Sequence, residues 1–370
     1  MKPKAPAKVP PKVSIVVLNW NGKKFLHDFF TSCKKQDQTN FEVICVDNGS
    51  SDGSQTYIKK IFPWVILIEL EKNVGFASGC NIGFKFAKAE YVAFLNNDMI
   101  LDKNWVRILS ASLDKYSDCA AVGSLMINKD NYDEHKASFE NEWKNKTMGT
   151  YTLVGNHATC RIIGEERDTK NIKLREVFYI GGGSIMFRKS LVKNPALPFF
   201  DDYFGYAEDV SLSIRLRYQK KKLFLCYSTS VLHVGNSTFS RMKPLQAFHG
   251  AKNRIMNYLL FFNLWNIIRI FPMMVVNQVS YMLMQPRVAW PILKGYFWII
   301  LNLPMLMRRK KLLSKSRKVS DKEIIQIMSC KMIDDGVYKN PFLLLLQKML
   351  NATFCSYARL VRLHTIEFRK

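Results

Sequence analysis

Apolar runs that end in a polar side chain alternate with segments of helical periodicity along the first part of the chain. Apolar runs occur at 13–18, 42–47, 65–70 and from Tyr91 onward, with helical patterns at 25–33, 54–61 and 78–88. Unbroken apolar runs are typical of strands buried on both faces of a parallel sheet. Their strict alternation with helices predicts βαβ units and a doubly wound α/β sheet.

Carboxylates stand at the ends of two of these strands. Asp47 ends the second strand, and Asp98 follows the apolar run Tyr91–Leu95 and two asparagines. Ligands of open α/β sheets bind beyond the carboxyl ends of the strands, where Asp98 is placed to hold a hard cation against an anionic ligand. The alternative is that Asn97 and Asp98 cap a helix, although Asp102 already provides that cap.

Glycines interrupt a later strand. The segment 178–187 is apolar except for three consecutive glycines, which include Gly182 and Gly183. Glycine inside a strand usually marks a bend or a place where another molecule approaches closely. A strand at 120–127 precedes this segment, and 129–172 is predicted to be a polar insertion.

Polar side chains also mark two later elements. Glu208 and Asp209 open an amphipathic helix that continues to Arg217. Acids at this position also complement a helix N-terminus, which is the structural alternative. His233 ends an apolar strand as Asp98 does, but a lone histidine in such a place is more often structural than functional.

The common nucleotide-binding motifs are missing. No G-x-G-x-x-G opens the first helix and no P-loop motif occurs in the chain, which argues against a dinucleotide oxidoreductase or a P-loop NTPase. The polar loop Asn73–Gly83 instead holds glycines that allow a backbone to approach a ligand. For Gly79 and Gly83, tight packing of a helix on a strand is the alternative explanation.

Charge and cysteine content narrow the possible partners. The 370 residues carry 55 Lys and Arg against 30 Asp and Glu, a net charge of +25, which predicts an anionic partner: nucleic acid, an acidic membrane surface or a phosphorylated substrate. Residues 1–12 read as a flexible basic tail and not as a signal peptide. Cys33, Cys45, Cys80 and Cys226 lie in apolar segments and are predicted to be reduced, which favours the cytoplasmic side.

Together, the motifs resemble those of a known enzyme family over about residues 13–260. They are Ser14–Gly22 (SIVVLNWNG), Val46–Asp52 (VDNGSSD), Asn73–Gly83 (NVGFASGCNIG), Leu95–Asp98 (LNND), Gly181–Ser184 (GGGS), Glu208–Asp209 and His233. In this order and spacing the chain is similar to inverting glycosyltransferase family 2, which has a GT-A fold, and especially to its rhamnosyltransferase-like branch. The GT-A fold is a Rossmann-like mixed sheet flanked by helices.

The resemblance implies a role for each donor-side residue. Asp98 and His233 match the positions that hold a divalent cation, Mg²⁺ or Mn²⁺, against the diphosphate of a nucleotide sugar. Asp47 matches the carboxylate that accepts from the imide of uracil or thymine, which implies a UDP- or dTDP-sugar. The remaining nucleotide-sugar contacts fall on Asn19, Asn21, Asn73, Gly75, Asn81 and Asn97.

On the acceptor side, the resemblance makes Asp209 the general base and places Glu208, Gly182 and Gly183 near the acceptor. Two departures from the family pattern are visible. The metal motif reads Asn-Asn-Asp where relatives have Asp-x-Asp, so one carboxylate would carry the metal. Ser211 stands where many relatives have an acid, which puts the acceptor contacts in doubt.

The last third of the chain is apolar and then basic. Residues 258–284 and 288–307 contain one charge each, Arg269 and Lys294. Asparagines, prolines and tryptophans within them favour helices in the membrane interface, with two spanning helices as the alternative. Seven basic residues within 308–318 are typical of a segment that binds anionic lipid. A helical core with a solvated basic tail is the other interpretation.

The sequence thus predicts a basic tail at 1–12, a GT-A domain at 13–250, apolar membrane-associating helices at 251–311 and a basic helical region at 312–370. The expected activity is metal-dependent transfer of a sugar, rhamnose by the branch resemblance, to a lipid-linked or cell-surface glycan at the cytoplasmic face of the membrane. The alternative is a basic nucleic-acid- or lipid-binding protein on a GT-A-like scaffold without catalysis. The sequence contains no zinc-finger spacing and no RNP strand, and we do not expect a nucleic-acid partner.

Overall fold

The computed structural model describes residues 10–128, 150–154, 157–158, 163–192, 197–234, 243–333 and 340–368. The predicted tail at 1–12 and the predicted insertion at 129–172 therefore lie largely outside the described residues. The described strands are β1 Val13–Asn19, β2 Phe41–Asp47, β3 Ile66–Glu69, β4 Tyr91–Asn96, β5 Met99–Leu101, β6 Cys119–Asn128, β7 Thr150–Tyr151, β8 His157–Ala158, β9 Glu166–Asp168, β10 Lys173–Glu176, β11 Ser184–Arg188 and β12 Lys222–His233. The described α-helices are α1 Lys23–Lys34, α2 Ser54–Ile61, α3 Phe76–Phe86, α4 Trp105–Lys115, α5 Glu208–Tyr218, α6 Lys243–Phe261, α7 Leu264–Met284, α8 Ala289–Leu301, α9 Leu303–Ser314, α10 Asp321–Ile325 and α11 Pro341–Leu360.

One mixed sheet organises the molecule, in the order β3-β2-β1-β4-β11-β6-β12-β10-β9, with β5 paired to β12. Strands β3, β2, β1 and β4 are parallel, as the alternating pattern predicts, whereas β11 runs antiparallel between β4 and β6. Two apolar clusters of buried side chains cover the two faces of the sheet. The predicted α/β fold with a helical C-terminal region is confirmed.

The register of the parallel strands brings their polar ends together. Asn19 at the end of β1 pairs with Asp47 at the end of β2, and Leu18 pairs with Asn96 at the end of β4. The crevice beyond these strand ends is the place where open α/β sheets bind ligands. Sequence alternation is therefore enough to place the predicted donor-side residues at one edge of the sheet.

Helix α3 packs closely on β1 because it carries two glycines. A Cβ atom on Gly79 would lie 2.3 Å from Leu18, and one on Gly83 would lie 2.4 Å from Val16. Both distances are far below van der Waals contact, so these glycines serve helix-to-strand packing. The packing interpretation, left open by the sequence, holds for Gly79 and Gly83.

Two local predictions differ from the structure. The strand predicted at 178–187 begins only at Ser184, and the glycines before it form a turn in which the Ser184 amide donates to the Gly181 carbonyl oxygen at 3.3 Å. Asp98 is followed by strand β5 and not by a helix, so it caps no helix. The N-cap of α4 is Asn104, while the Asp102 carboxylate accepts from the Ser230 amide at 2.9 Å.

The C-terminal helices pack against the sheet domain. Helix α6 runs through the predicted boundary at residue 250. Among the described residues, one helix, α7, is long and apolar enough to cross a membrane, and 28% of its apolar window is buried inside the protein. Length and composition alone support this possibility, and membrane association stays a prediction.

Cysteines behave differently in the two parts of the chain. Cys33, Cys45, Cys80 and Cys226 are buried and unpaired, as predicted. In the C-terminal region, a disulfide joins Cys330 to Cys355, with Cα atoms 5.1 Å apart. The prediction of reduced thiols concerned only these four cysteines. The sequence pattern gave no indication of the Cys330–Cys355 disulfide.

Candidate functional site

A chain of hydrogen bonds joins the polar ends of β1, β2 and β4. The Asn97 side-chain amide donates to Asn19 Oδ1 at 2.7 Å, and Asn19 Nδ2 donates to Asp47 Oδ2 at 2.8 Å. Asn19 and Asp47 are completely buried, while Asn97 is partly exposed. The buried pair therefore fixes the orientation of Asn97 at the surface of the crevice.

Asp47 is already bonded within the protein. Besides Asn19, it accepts from the Ser50 amide at 2.9 Å and from the Gln55 side chain at 2.7 Å. These bonds hold the turn after β2 against β1. Direct contact of Asp47 with a nucleobase stays a prediction, and it requires that a base replace one of these three donors.

Asp98 and His233 are paired beside this network. His233 Nε2 lies 3.1 Å from Asp98 Oδ2, because β5 and β12 are antiparallel neighbours with Met99 opposite His233. The other carboxylate oxygen of Asp98, Oδ1, is buried without a hydrogen-bond partner in the described part of the chain. A buried carboxylate oxygen left without a donor is costly unless a cation or water satisfies it.

The pair has the right chemistry for a divalent cation but is an incomplete ligand set. Carboxylate oxygen suits Mg²⁺ and Mn²⁺, and imidazole adds a nitrogen ligand. Within the described ranges, no group of three or more His, Cys, Asp or Glu side chains could hold a metal ion. Asp98 and His233 thus fit a metal that takes its remaining ligands from a bound diphosphate and water, as Mg²⁺ commonly does.

A cavity of about 240 Å³ lies beside Asp98 at the carboxyl ends of β1 and β4. It brings together five of the residues that the sequence singled out. Its lining is Leu18, Trp20, Phe76, Asn96, Asn97, Asp98, Gly182, Gly183, Gly205, Tyr206 and Glu208. A concave site with apolar walls and a few convergent polar groups is the usual form of a small-molecule site.

The two acids at the start of α5 differ in environment. Glu208 lines the cavity and is 7% exposed, and its Oε2 atom has no hydrogen-bond partner among the described residues. Burial, together with the charge of Asp209, raises the pKa of Glu208 to about 8. A protonated Glu208 can donate a hydrogen bond into the cavity near neutral pH.

Asp209 does not line the cavity but adjoins it through Gly182. Its Oδ2 atom accepts from the Gly182 amide at 3.0 Å, and its Oδ1 atom accepts from the Val210 amide at 2.7 Å. Both carboxylate oxygens are therefore held in a fixed direction by backbone donors. A Cβ atom on Gly182 would lie 3.6 Å from Asp209 Cβ, an ordinary van der Waals contact, so Gly182 lies next to both the acid and the cavity.

Besides Asn19, Asp47 and His233, four other predicted donor-side residues lie outside this cavity. Asn21 accepts from the Ser51 amide at 2.8 Å, and Asn73 accepts from the Gly75 amide at 2.8 Å. Gly75 has φ 88° and packs against the loop around residue 204. Their roles in nucleotide binding stay predictions, and the bonds show that each of these residues also shapes its own loop.

Asn81, the fourth, is committed to packing. Its side chain donates to the Phe199 carbonyl oxygen and to Asp201 Oδ1, both at 2.9 Å, and accepts from the Phe199 amide at 3.1 Å. Asn81 is 1% exposed. These bonds attach α3 to the segment 199–201, which precedes Glu208 and Asp209. We therefore do not include Asn81 in the proposed donor site.

Sequence reasoning missed the loop that forms one wall of the cavity. Phe204, Tyr206 and Ala207 all adopt positive φ, between 59° and 70°, which costs a non-glycine residue about 1–3 kcal/mol. The Asn253 side chain on α6 offsets this strain by donating to the carbonyl oxygens of Gly205 at 2.9 Å and Tyr206 at 2.7 Å.

A second asparagine supports the same loop one helical turn later. Asn257 Nδ2 donates to the Ala207 carbonyl oxygen at 3.3 Å, and Asn257 Oδ1 accepts from the Tyr203 hydroxyl at 2.6 Å. Asn253 and Asn257 are completely buried. Their i, i+4 spacing, which places both amides on one face of α6, was the one signal in the sequence that could have revealed them.

Residues 14–194 match the family model described as Glycosyl transferase family 2. The chain is 28% identical over 193 residues to the poly(ribitol-phosphate) beta-N-acetylglucosaminyltransferase TarP of Staphylococcus aureus, a match that covers 51% of this chain and 52% of TarP. It is 29% identical over 130 residues to the glycosyltransferase GlyG of Streptococcus pneumoniae, covering 34% of this chain and 42% of GlyG. The chain thus spans about half or less of the curated relatives it matches.

Solved structures show the same fold. The structure of GalNAc-T7 with UDP, GalNAc and Mn²⁺ has a TM-score of 0.54 at 16% identity, covering 71% of this chain and 51% of that one. Residues 1–349 of S. aureus TarS in complex with UDP-GlcNAc give a TM-score of 0.50 at 16% identity, covering 95% and 90%. At these identities the likeness concerns the fold alone, and it confirms the predicted GT-A fold.

Proposed function

Because residues 14–194 match the family model described as Glycosyl transferase family 2, we propose that this protein is an inverting glycosyltransferase that uses a UDP- or dTDP-sugar. One observation carries the proposal: a single cavity is lined both by Asp98, the candidate metal ligand, and by Glu208, the neighbour of the candidate base. Rhamnose is the sugar we propose on the branch resemblance, and a lipid-linked or cell-surface glycan is the proposed acceptor.

On the donor side, Asp98 and His233 would hold a Mg²⁺ or Mn²⁺ ion, which when bound neutralises the charge of the departing nucleoside diphosphate. Asn97, oriented by Asn19, projects an amide at the same edge and is suited to the diphosphate or the ribose. The base would lie near Asp47 and Asn21, where the turn after β2 meets the turn after β1.

On the acceptor side, an acceptor hydroxyl attacks the anomeric carbon while its proton passes to Asp209. The backbone donors at Gly182 and Val210 fix the direction of the Asp209 carboxylate. Glu208, protonated because its pKa is raised to about 8, would donate a hydrogen bond to the acceptor or sugar. Gly182 and Gly183 leave the space in which the acceptor chain runs.

We also propose that the C-terminal helices attach the enzyme to a membrane. The support is an apolar surface of exposed side chains on three helices. They are Leu264, Trp265, Phe271, Leu283 and Met284 on α7, Trp290, Phe297 and Ile300 on α8, and Phe342, Leu345 and Leu360 on α11. Large exposed apolar side chains concentrated on neighbouring C-terminal segments of the chain are typical of a membrane or protein contact.

The predicted basic cluster at 308–318 is only partly available to lipid. Arg309 pairs with Asp202 at 2.8 Å, Arg317 pairs with Asp321 at 2.5 Å, and Lys310 donates to the Phe262 carbonyl oxygen. These three basic side chains attach α9 and α10 to the rest of the protein. Arg308, Lys311, Lys315 and Lys318 are exposed and supply the remaining positive charge beside the apolar surface.

The donor half of the proposal is tested by thermal stabilisation with UDP, dTDP, GDP and CMP, each with and without Mn²⁺ or Mg²⁺. A ligand at a hundred times its Kd adds about 2.7 kcal/mol to the free energy of unfolding. We expect metal-dependent stabilisation by UDP or dTDP and none by GDP or CMP. Equal stabilisation by all four, or none by any, would contradict the assignment.

A further inference from the structure

A second cavity adjoins the cavity lined by Asp98 and Glu208, which we call the catalytic cavity. Tyr206 lines both, and from there the second cavity, of about 370 Å³, follows α6 past Gly250 to Arg254. Its other wall is formed by α7 and includes Asn277 and Gln278. Tyr206 is thus the shared boundary of two neighbouring cavities, and the second is lined by the C-terminal helices α6 and α7.

A third cavity continues from the same arginine. Arg254 and Gln278 line the second cavity and also a third one of about 340 Å³, whose remaining lining comes from α6, α7 and α8. Apart from these two residues and Tyr296 this lining is apolar, with Phe271, Val279 and Ile299 among its members. It opens beside the exposed apolar surface, to which Phe271 and Ile300 also belong.

The junction between the polar and apolar cavities carries polar groups. Gln278 is 7% exposed, and its side chain lines both cavities. No carboxylate in the described ranges pairs with Arg254, which is only partly exposed and borders both cavities. A buried amide and an unneutralised guanidinium at one point suit an anionic group, and phosphate above all.

We infer that this path binds the acceptor as a lipid phosphate or diphosphate. The hydrocarbon chain lies in the apolar cavity between α6, α7 and α8, the phosphate contacts Arg254 and Gln278, and the attached sugar reaches the catalytic cavity past Tyr206. This inference rests on the proposed glycosyltransferase function and assigns the chemical class of its acceptor.

The order of the three cavities distinguishes this occupant from an ordinary membrane phospholipid. A bulk phospholipid needs only the apolar cavity and the arginine. The polar cavity between Arg254 and Tyr206 has room for a sugar, and it ends at the residues of the catalytic cavity. An acceptor lipid is the occupant that uses all three cavities at once.

Gly250 offers a substitution that blocks the path without disturbing the fold. It lies within α6 and lines the polar cavity, and a Cβ atom built on it meets no other atom within 4 Å. Alanine and leucine both raise helix propensity over glycine by up to about 1 kcal/mol, but only leucine fills the cavity. Gly250→Ala is thus the matched control for Gly250→Leu.

The experiment uses the full-length protein in detergent and a diazirine-bearing polyprenyl phosphate. We expect labelling within α6, α7 and α8, a drop of at least tenfold in labelling with Gly250→Leu or Arg254→Gln, and little change with Gly250→Ala or with Val276→Trp on the outer face of α7. A polyprenyl diphosphate that carries one sugar should compete better than phosphatidylglycerol.

Two outcomes would overturn the inference. One is undiminished labelling in both Gly250→Leu and Arg254→Gln, and the other is equal competition by phosphatidylglycerol, which would make the cavity a general lipid site. Stabilisation by UDP is measured on the same variants. Retained nucleotide binding with lost lipid specificity would reject the lipid site alone, whereas absent nucleotide binding in the wild type would reject the proposed function.

Discussion

His233 Nε2 lies 3.1 Å from Asp98 Oδ2, although the two residues are 135 positions apart in the chain. The contact depends on β12, which runs alongside β5 and ends at the histidine. Since Asp98 Oδ1 is buried without a partner in the described part of the chain, we propose that the pair receives a cation from the cavity side.

We expect Asp98→Ala to abolish the metal-dependent part of nucleotide stabilisation, because it removes the only carboxylate in the predicted ligand set. His233→Ala should weaken metal affinity by about 10- to 100-fold, as is common for residues that hold or orient a metal. Titration with Mn²⁺ in the presence of UDP measures both effects. His27→Ala, which removes an imidazole from α1, is the control, and full metal dependence in Asp98→Ala would show that the metal role is wrong.

Substitutions of Asp209 and of Glu208 should affect different kinetic constants. Removal of a positioned general base typically costs about 10² to 10⁴ in rate, so Asp209→Asn should lower kcat by that factor while donor affinity stays close to wild type. Glu208→Gln should raise the acceptor KM more than it lowers kcat. Steady-state kinetics with the true acceptor distinguish them, and the reverse result, with kcat lost only in Glu208→Gln, would make Glu208 the base.

Glu208 also makes stability depend on pH in a defined direction. Its pKa is raised by burial and by Asp209 from 4.5 to about 8, so between these values the folded state binds more protons than the unfolded state. The contribution of Glu208 is therefore fully present below about pH 4.5 and is lost as the pH rises to about 8, by at most about 1.4 kcal/mol per pH unit. Denaturant melts from pH 5 to 8 should show a smaller pH dependence for Glu208→Gln than for wild type.

Asn253 is predicted to act on catalysis through the strained loop. Asn253→Leu removes the donors to Gly205 and Tyr206, and each unsatisfied buried carbonyl costs about 1–3 kcal/mol. We expect a lower midpoint of unfolding and a fall in kcat of at least tenfold with donor binding retained. Asn302→Ala serves as the control because, among the described residues, the Asn302 side-chain amide donates to the Trp298 carbonyl oxygen of the preceding helix α8 and not to the loop. An unchanged kcat at equal loss of stability would reduce Asn253 to a structural residue.

If the exposed apolar side chains of the C-terminal helices bind a membrane, one introduced negative charge should weaken that binding. Phe297 on α8 is 61% exposed and Phe86 on α3 is 54% exposed. Burial of a phenylalanine in an apolar phase contributes about 1.5–3 kcal/mol, so Phe297→Glu should lower binding to anionic vesicles by about tenfold or more, while Phe86→Glu should not. Flotation in high salt and in alkaline carbonate then separates interfacial binding, which is released, from a spanning helix, which is retained.

The strand ends were predictable from sequence for a simple physical reason. Strands β1, β2 and β4 are buried on both faces, which forces an unbroken apolar run and makes the first polar residue after it conspicuous. Asn19 and Asp47 follow from that rule, and Asp98 stands two residues after Asn96, the first polar residue of the β4 run. Their grouping at one edge then needs only the parallel order of the strands, which the alternation with helices dictates.

The acceptor side was much less predictable. The wall formed by residues 204–207 depends on positive φ at non-glycine residues, a conformation that leaves no mark in the sequence because it is imposed by contacts from elsewhere. Asn253 supplies those contacts from a helix that the sequence assigned to the membrane region. The same long-range packing decided that Glu208, and not Asp209, faces the cavity.

The position of α6 decides how this protein can be shortened. One face of that helix holds the catalytic loop through Asn253 and Asn257, and another face borders the proposed lipid path at Gly250 and Arg254. A fragment that stops at residue 250, where composition suggests a domain end, would keep the acids and lose the residues that hold their loop in place. Any soluble version of the enzyme has to retain α6 and mask its apolar neighbours by substitution instead of deletion.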